Sequence, residues 1–330
     1  MKKMKRFSLR FTVICFVIIG SVHLVPQNGA EASLLYVTNG LSGNLSIIDT
    51  DSNSVVGTIP LSGHPNRIAF TPDGRYAVVV NDTIDLIDLI DTTLRKSVKQ
   101  LKMIKRPYNA AFTPDGKYCY ILEWYNNEVV ILDSTDWTVV SRIPVGIWPS
   151  HLIFSKDGRQ LFVANETTGD VFILDTEEKK VITKIPAGTE AVGLALTPDG
   201  KTLYTANGTS QSISWIDAST YKVLGALPLD DAVHDLAMTE DGQYLYATLR
   251  KLNKIVIIRL EDHTVVKTIS QKGKPDLVVI DGKRAYITAR HAGSVVVVDT
   301  EHHIVLATIR VGQNPHGMAI QPSLFKQSSQ

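Results

Sequence analysis

The chain has 330 residues, of which 44% are hydrophobic, and its 34 basic and 33 acidic residues give a net charge of +1. A chain of this length can bury a large hydrophobic core, and a near-neutral charge excludes a global polycationic attraction to nucleic acid. We find no linker or low-complexity stretch before the short polar tail at residues 323–330.

Residues 1–32 are predicted to be a cleaved secretory signal peptide. Basic residues open the chain, an apolar stretch runs from Phe11 to Val25, and Ala30-Glu31-Ala32 has the small-residue pattern of a cleavage site. A membrane anchor is the alternative, but the apolar stretch is short and is interrupted by Ser21 and His23. Cleavage removes five basic residues and one acidic residue, leaving 29 and 32 and a net charge of −3. We therefore expect a secreted or periplasmic protein without stable membrane insertion.

Cys119 is the only cysteine that remains after this cleavage, so a disulfide within the chain is impossible. Its apolar neighbours, Tyr118, Tyr120 and Ile121, predict a buried strand in which the thiol is an inert small hydrophobe.

The rest of the chain repeats a unit of four short apolar runs separated by turn residues. Each run is long enough for a strand and too short for a helix, and Asp-Gly and Asn-Gly pairs punctuate hairpins. The aspartate that ends the third run recurs every 42 residues, at Asp49, Asp91, Asp133, Asp175 and Asp217, followed by Arg259 at the same spacing and Asp299 after 40 residues. A period near 42 with four strands per copy is typical of a β-propeller blade.

The two ends of the chain predict how the ring of blades closes. After the leader the chain begins with a second run, 35–39, and it ends with a first run, 315–320, that has no second run after it. Each kind of run occurs seven times only if the last run joins the first three. We therefore predict an all-β, monomeric, seven-bladed β-propeller over residues 33–322, with four antiparallel strands per blade. Pairing of the C-terminal strand with the N-terminal blade would leave no exposed sheet edge there, and Phe70, Phe112 and Phe154 should fill the gaps between blades.

Several segments resemble the YVTN-type β-propeller repeat family, whose members are exported proteins of bacterial type. The resemblance lies in Tyr36-Val37-Thr38-Asn39, in the run 45–50 and in the turn Thr71-Pro72-Asp73-Gly74, and it returns at 203–207 and 286–289. It covers nearly all of the chain after the leader and implies the propeller fold. It leaves the function open, because the family includes secreted binding proteins, surface-layer proteins and relatives of enzyme subunits. Similar repeats occur in haem d1 proteins, but those propellers have eight blades.

The turns of a four-stranded meander alternate between the two faces of the ring. The Pro-Asp-Gly turns and the turns after each third run share one face and are regular, so we interpret their aspartates as turn caps rather than catalytic groups. On the other face lies the segment that leads into each first run, and here the copies differ. Its fourth position is glycine in the family pattern, which only Gly193 and Gly317 keep. Large polar residues replace it at four positions: Arg67, Asn109, His151 and Asp235.

We expect these side chains to converge at the mouth of the central channel, because first runs line the channel. The predicted ligand site comprises His64, Arg67, Arg106, Asn109, Trp148, His151, His234, Asp235 and His316. Turns after the second runs add Asp82, Glu123-Trp124-Tyr125, Glu166, Arg250 and Arg290-His291 to the same face. For Trp148 an exposed contact surface and a packed lid both remain open, whereas the position of Trp124 favours packing.

The histidines of this face do not form a metal-binding motif. No His-x-x-x-His or paired-cysteine pattern is present, and Arg67 and Arg106 would oppose a bound cation. Adjacent strand residues point to opposite sides, so His234 and Asp235 need not converge. We predict no metal and no cofactor.

Sequence motifs of common enzyme classes are also absent. A nucleophilic triad of Ser150, His151 and Asp235 rests only on their common location at the mouth, and nothing in the sequence fixes its geometry.

These observations favour a non-enzymatic binding module for an anionic small molecule, polymer or protein partner. Arg67 and Arg106 carry guanidinium groups that suit carboxylate or phosphate oxygens. Single-stranded DNA is one candidate ligand, with Trp148 and Tyr108 as stacking platforms. The alternative is a lyase, or a protein associated with a metal-, quinone- or haem-linked oxidoreductase, that uses the histidines of the mouth.

The leader generates the first testable prediction: protein recovered outside the cytoplasm should begin at Ser33. Intact-mass spectrometry should give the mass of residues 33–330. An Ala30→Lys variant, which removes the small-residue pattern, should instead retain the leader. Recovery of the unaltered protein with residues 1–32 attached would contradict the cleavage prediction.

Overall fold

The structure, a computed structural model, describes residues 33–322, and within this range all the regular elements are β-strands. The predicted signal peptide at 1–32 and polar tail at 323–330 lie outside the described residues. Between residues 33 and 322 there is no helix that could span a membrane.

Twenty-eight strands follow one another along the chain. They are β1 (Leu34–Asn39), β2 (Asn44–Asp49), β3 (Ser54–Pro60), β4 (Pro65–Phe70), β5 (Tyr76–Asn81), β6 (Leu86–Asp91), β7 (Lys96–Leu101), β8 (Pro107–Phe112), β9 (Tyr118–Glu123), β10 (Glu128–Asp133), β11 (Val139–Pro144), β12 (Pro149–Phe154), β13 (Gln160–Asn165), β14 (Asp170–Asp175), β15 (Lys180–Pro186), β16 (Ala191–Leu196), β17 (Thr202–Asn207), β18 (Ser212–Asp217), β19 (Val223–Pro228), β20 (Val233–Met238), β21 (Tyr244–Leu249), β22 (Lys254–Arg259), β23 (Thr264–Ser270), β24 (Pro275–Asp281), β25 (Arg284–Ala289), β26 (Ser294–Asp299), β27 (Ile304–Arg310) and β28 (Pro315–Ile320).

The strands form seven four-stranded antiparallel sheets, which are the blades. Blade 1 has the order β28-β1-β2-β3, and each later blade takes the next four strands, from β4–β7 in blade 2 to β24–β27 in blade 7. The first strands contact one another in a closed series, β4 to β8 and onward through β24 and β28 back to β4. They therefore surround the axis, and the seven-bladed fold predicted from the repeats is confirmed.

The predicted closure is also confirmed, because β28 pairs with β1 inside blade 1. Leu35 pairs with Ile320 and Tyr36 with Ala319, in antiparallel register. Blade 1 thus draws one strand from the end of the chain and three from its beginning.

Aspartates hold the regular face of the ring, as the turn pattern predicts. Asp73 Oδ1 accepts hydrogen bonds from Thr71 Oγ1 at 2.6 Å and from the backbone nitrogen of Arg75 at 3.1 Å, and Gly74 completes the turn with a φ of 68°. The same arrangement recurs at Asp115, Asp157, Asp199 and Asp241. Hydrogen bonds from the nearby threonine or serine hydroxyls lower the pKa of these four carboxyls. Their oxygens serve the turn.

The hydrophobic core lies between neighbouring blades. One cluster joins Tyr36 and Ile47 of blade 1 to Val79 of blade 2, and Phe70 packs edge-on against Tyr36 with 5.1 Å between ring centroids. Phe154 packs against Tyr120 of the preceding blade in the same way, and Phe112 belongs to the cluster between blades 2 and 3. The phenylalanines fill the gaps as expected.

Cys119 lies in β9 and is fully buried. Burial raises the pKa of its thiol, so the expected inert role is consistent with its surroundings.

A residue with positive φ occupies the turn after each third strand, and in three blades its side chain bonds to the preceding blade. It is Asn53, Arg95, Trp137, Lys179, Tyr221, His263 or His303, each with positive φ. Gln160 Nε2 donates to Tyr221 Oη at 2.7 Å, and Tyr204 Oη lies 3.0 Å from His263 Nε2. His303 Nδ1 is 2.8 Å from Tyr246 Oη of the preceding blade. His263 and His303 therefore belong to blade packing on the regular face.

Deletion of residues 315–330 should lower the melting temperature sharply, because it removes β28 and leaves β1 as an open edge. The control deletion of 323–330 keeps β28 whole and should melt like the full chain. Both can be compared by circular dichroism during heating. Equal melting of the two truncated proteins would contradict closure by β28.

Candidate functional site

The first strands place two consecutive residues of each blade in the wall of the channel. In blade 2, Pro65 pairs with Asn81 and Arg67 with Val80, so Asn66 forms a β-bulge without a partner opposite. The same shift occurs after the first residue of β8, β12 and β16, and residues 234 and 235 are both skipped in blade 6. A bulge breaks the alternation of side chains along a strand. The expectation that neighbours point to opposite sides therefore does not apply here.

Three rings of residues follow from this geometry. The mouth ring is formed by the residue after each strand's first position: Asn66, Tyr108, Ser150, Val192, His234, Asp276 and His316. The inner ring is formed by the next residue: Arg67, Asn109, His151, Gly193, Asp235, Leu277 and Gly317. The rim is formed by the residue after each second strand: Gly40, Asp82, Trp124, Glu166, Gly208, Arg250 and Arg290.

Asp276 is the centre of the charge network in the mouth ring. It is fully buried and makes an ion pair with Arg250, while Arg290 NH1 lies 3.6 Å from its Oδ2. His234 Nε2 is 3.1 Å from its Oδ1, and His316 Nε2 is 3.4 Å from its Oδ2. The structure thus brings together two predicted histidines and two rim arginines around a carboxylate that sequence reasoning did not single out.

A signal for Asp276 was present in the sequence. Aligning the seven segments by their first-strand start places Asp276 in the same column as His234 and His316, one blade from each.

Both histidines of the network are neutral. Burial first, and the nearby guanidinium groups with it, lower their pKa well below the ordinary value. The carbonyl oxygen of Asn66 can only accept, so His316 Nδ1 donates to it at 3.3 Å and His316 Nε2 keeps a lone pair. His234 Nε2 accepts from Arg250.

His234, Asp276 and His316 offer three potential metal ligands within 4.8 Å of one another. Arg250 and Arg290 both contact the carboxylate, however, and two guanidinium charges oppose a divalent cation at that point. With two guanidinium groups already paired to the carboxylate, the cluster forms an ion-pair network.

His64 links the rim to this network. Its Nδ1 is 3.1 Å from Asp82 Oδ1, and its Nε2 is 3.1 Å from Asn314 Nδ2. Arg290 Nε donates to Asn314 Oδ1 at 2.6 Å. A side chain at Gly40 would collide with the His64 ring, so glycine is required in this position of the rim. Hydrogen bonds therefore run without a break from blade 2, across blade 1, to blade 7.

The aromatic side of the mouth is a stack of three rings. Trp124 lies between Tyr108, with 3.8 Å between ring centroids, and Trp148, with 5.4 Å. Trp124 Nε1 donates to the Pro149 carbonyl at 2.8 Å, and the Arg106 guanidinium lies 5.3 Å from the Trp124 ring. Trp148 is 45% exposed and Tyr108 only 8%. Trp124 is packed, as favoured from its position, and of the two expected stacking platforms only Trp148 has a free surface.

The four polar residues at glycine positions line one cavity of about 370 Å³ in the channel: Arg67, Asn109, His151 and Asp235. We call it the inner cavity. These four side chains do converge in the channel, but they lie deeper than the mouth, where they were expected. Arg106 and Trp148 belong to the aromatic stack instead, and the mouth histidines to the Asp276 network.

Inner-ring side chains reach the next blade around the channel. Leu194 N–H donates to His151 Nδ1 at 3.0 Å, and Val278 N–H donates to Asp235 Oδ2 at 3.0 Å. Asn109 Nδ2 donates to the Ser150 carbonyl at 3.2 Å. These bonds hold the walls of the inner cavity in place.

Burial controls ionisation in the inner cavity. It lowers the pKa of His151 to about 3, with Arg67 adding to the effect, so the imidazole is neutral. It raises the pKa of Asp235 to about 6 against the opposing charge of Arg67. His151 Nδ1 lies 3.8 Å from Asp235 Oδ1, but that nitrogen already accepts the Leu194 N–H. The two side chains therefore form neither an ion pair nor a hydrogen bond.

The nucleophilic triad of Ser150, His151 and Asp235 does not form. The Ser150 hydroxyl is buried and lies 3.2 Å from the carbonyl oxygens of Ala191 and Val192, to which it can donate. It serves the contact between blades 4 and 5 rather than His151.

A second cavity, of about 800 Å³, opens at the mouth beside blades 6, 7 and 1. We call it the mouth cavity. Its lining includes Arg250, Lys274, Arg290, His291 and Asn314 but no carboxylate. Sequence reasoning placed both arginines on this face and did not single out Lys274.

Together the closed ring and its polar channel define a seven-bladed β-propeller with a candidate binding site on one face. The family described as lactonase, 7-bladed beta-propeller, matches residues 57–215 and 138–264, together more than half of the chain, and YNCE-like beta-propeller matches 232–322. The chain therefore belongs to the lactonase-type family of seven-bladed β-propellers. These matches support the seven blades without naming the YVTN-type repeat family.

Solved structures of similar fold come from different proteins. Hydrazine synthase of Kuenenia stuttgartiensis has a TM-score of 0.75 at 21% identity, covering 82% of this chain and 93% of that one. A functionally unknown protein from Desulfotomaculum acetoxidans has a TM-score of 0.75 at 16% identity, and the match covers 88% of this chain and 100% of that one. Dihydro-heme d1 dehydrogenase NirN in complex with DHE has a TM-score of 0.70 at 16% identity, and the match covers 89% of this chain and 76% of that one. These likenesses show the fold alone, and a comparison with curated proteins found no match.

Asp235→Asn should stabilise the protein above about pH 6 and not in acid. The folded protein holds the Asp235 proton up to about pH 6, whereas the unfolded chain releases it near pH 4. Between these values the unfolded state binds fewer protons, so the free energy of unfolding falls as pH rises, by about 3 kcal/mol in all.

Thermal unfolding at about pH 4 and about pH 8 measures this difference. The variant should melt higher than the unaltered protein only at the higher pH, and its amide oxygen can still accept the Val278 N–H. Asp73→Asn, at an exposed turn on the other face, is the control. The same melting difference at both pH values would contradict the raised pKa.

Proposed function

We propose that this chain is an exported binding protein that takes an anionic ligand at the mouth of its channel. The observation that carries the proposal is the mouth cavity, about 800 Å³ in volume and lined by Arg250, Lys274 and Arg290 without a carboxylate. Ligand pockets of proteins commonly have this size. Guanidinium and ammonium groups recognise carboxylate and phosphate oxygens through charge-assisted hydrogen bonds.

The cationic groups of this cavity differ in how firmly they are held. Arg250 is paired with buried Asp276, and Arg290 is fixed by Asn314 and Asp276. Lys274 is exposed and has no ion-pair partner among residues 33–322. Two prearranged guanidinium groups would therefore orient the anion, and the ammonium group would add charge without losing an existing bond.

The state of the mouth supports binding over catalysis. Both ring nitrogens of His64 lie within hydrogen-bond distance of neighbouring side chains. His234 and His316 are neutral and already contact the Asp276 network, and the Ser150 hydroxyl faces carbonyl oxygens. Groups engaged in this way suit rigid recognition. The alternative of an enzyme that uses these histidines is correspondingly less well supported.

The size of the cavity favours a small polyanion as the ligand, bound by a monomer. The exposed ring of Trp148 lies on the same face, across the channel mouth from the mouth cavity. It would extend the site for a longer ligand, such as a single strand of DNA. With a net charge of −3 after leader removal, the attraction would be local to the basic groups of the mouth.

Lys274→Glu should weaken binding of citrate and pyrophosphate at least about tenfold, because it replaces an unpaired cation of the mouth cavity with an anion. Isothermal titration of the 33–330 protein measures this, and the affinity should fall as salt is added. Lys156→Glu makes the same charge change at an exposed position on the regular face and should have no effect.

A fluorescein-labelled single strand of DNA tests the longer ligand. If it binds and the small anions do not, Trp148→Ala should weaken it and the ligand is a polymer. Absence of binding by all three probes, or equal losses in both lysine variants, would contradict the proposed function.

A further inference from the structure

The inner cavity is a separate site from the mouth cavity, since the two linings have no residue in common. It also has a different charge pattern, with one cation and one anion in place of several cations. What it could hold is decided by two buried polar atoms that have no partner.

The first atom is Nε of Arg67. The Arg67 side chain is almost fully buried, and its guanidinium makes no hydrogen bond or ion pair with any residue between 33 and 322. The position explains this. At the same place in other blades, His151 and Asp235 accept an N–H from the next blade. A guanidinium has no acceptor atom.

The N–H of the next blade that faces Arg67 belongs to Ala110, and Asn109 Oδ1 accepts it at 2.9 Å. The N–H donors of Arg67 therefore have no acceptor among residues 33–322, and the side chain lines the inner cavity. A buried cation in this condition is costly unless an anion joins it.

The second atom is Oδ1 of Asp235. Its other oxygen accepts the Val278 N–H, but Oδ1 is buried without any donor. His151 Nδ1, 3.8 Å from this oxygen, is itself an acceptor. Asp235 therefore lacks a donor from within the protein, just as Arg67 lacks an acceptor.

These two groups belong to blades 2 and 6 and do not form an ion pair with each other within 4 Å. A neutral ligand with separated charges matches them: its anion would bind Arg67 and its cation Asp235. The lining also includes aliphatic residues that belong to the clusters between blades: Ile68, Leu152, Leu194, Leu236, Leu277 and Met318. Such a lining favours an aliphatic group between the two charges.

We propose that the inner cavity binds the zwitterion of an aliphatic α-amino acid, with the carboxylate on Arg67, the ammonium group on Asp235 and the side chain against the aliphatic wall. A simple carboxylate would leave Asp235 Oδ1 without a donor, and a simple amine would leave Arg67 without an acceptor. A hydroxy acid would supply a donor but no charge to oppose the carboxylate of Asp235.

Isothermal titration at about pH 8 with four matched probes tests the proposal. L-Leucine carries both charges, 4-methylpentanoate only the carboxylate, 3-methylbutylamine only the ammonium group, and 2-hydroxy-4-methylpentanoate replaces the ammonium group with hydroxyl. Leucine should bind, and each of the other three should bind at least about tenfold more weakly, since each loses one charge-assisted bond. No binding of leucine, or equal binding of any analogue, would overturn the proposal.

Two variants assign the charges to their partners. In Arg67→Met, leucine and 3-methylbutylamine should bind alike, because the carboxylate is no longer recognised. In Asp235→Asn, leucine and 4-methylpentanoate should bind alike. Arg75→Met, at an exposed position of the regular face, should bind leucine like the unaltered protein, and melting curves confirm that each variant is folded.

Lys274→Glu separates this site from the proposed anion site. It should leave leucine binding unchanged while it weakens citrate. Equal loss of leucine binding in Lys274→Glu and Arg67→Met would place leucine in the mouth cavity and overturn the assignment.

Discussion

Backbone groups beside the axis must find partners where the sheets provide none. The bulges of the first strands release N–H and carbonyl groups close to the channel, and seven separate sheets cannot hydrogen-bond to one another as one sheet does. Threonine hydroxyls meet this need in part of the ring. Thr38 Oγ1 accepts from Gly317 N–H at 2.8 Å and donates to the carbonyl of Asn66, in the next blade, at 2.6 Å. Thr248 and Thr288 do the same between blades 6, 7 and 1.

In the inner ring, polar side chains that face the channel also accept the backbone N–H groups of the next blade. His151 and Asp235 each give one acceptor atom to a neighbouring backbone N–H and turn the rest of the side chain to the channel. Gly193 and Gly317 remain glycine because a Cβ there would meet the backbone of the next blade. The residues that join the blades and the residues that face a ligand are therefore largely the same, and their positions are fixed by the need to close the ring.

Much of the fold and part of the site could be read from the sequence because both follow from the repeat. The 42-residue period and the unpaired run at each end are local patterns, and a position within the repeat becomes a position on a ring. This is why Arg67, Asn109, His151 and Asp235 could be placed together. Asp276 was overlooked because its importance depends on side chains that reach it from other blades. Lys274 was overlooked because its place in the lining of the mouth cavity depends on how the blades are arranged around the axis. The bulge that sets the direction of His234 and Asp235 also leaves no mark in the alternation of apolar residues.

The pairing of β28 with β1 has a consequence for how the molecule is made. Thr38 and Gly317 are 279 residues apart in the chain, yet one hydroxyl joins them. A growing chain can assemble blades 2 to 7 in order, but blade 1 waits for the last strand to be synthesised, with the edge of β1 unpaired until then. Contacts between such distant segments are slow to form because the loop between them must close. The late step of folding is therefore the pairing of β28 with β1. Chains that end before β28 expose the edge of β1, which can pair with another chain.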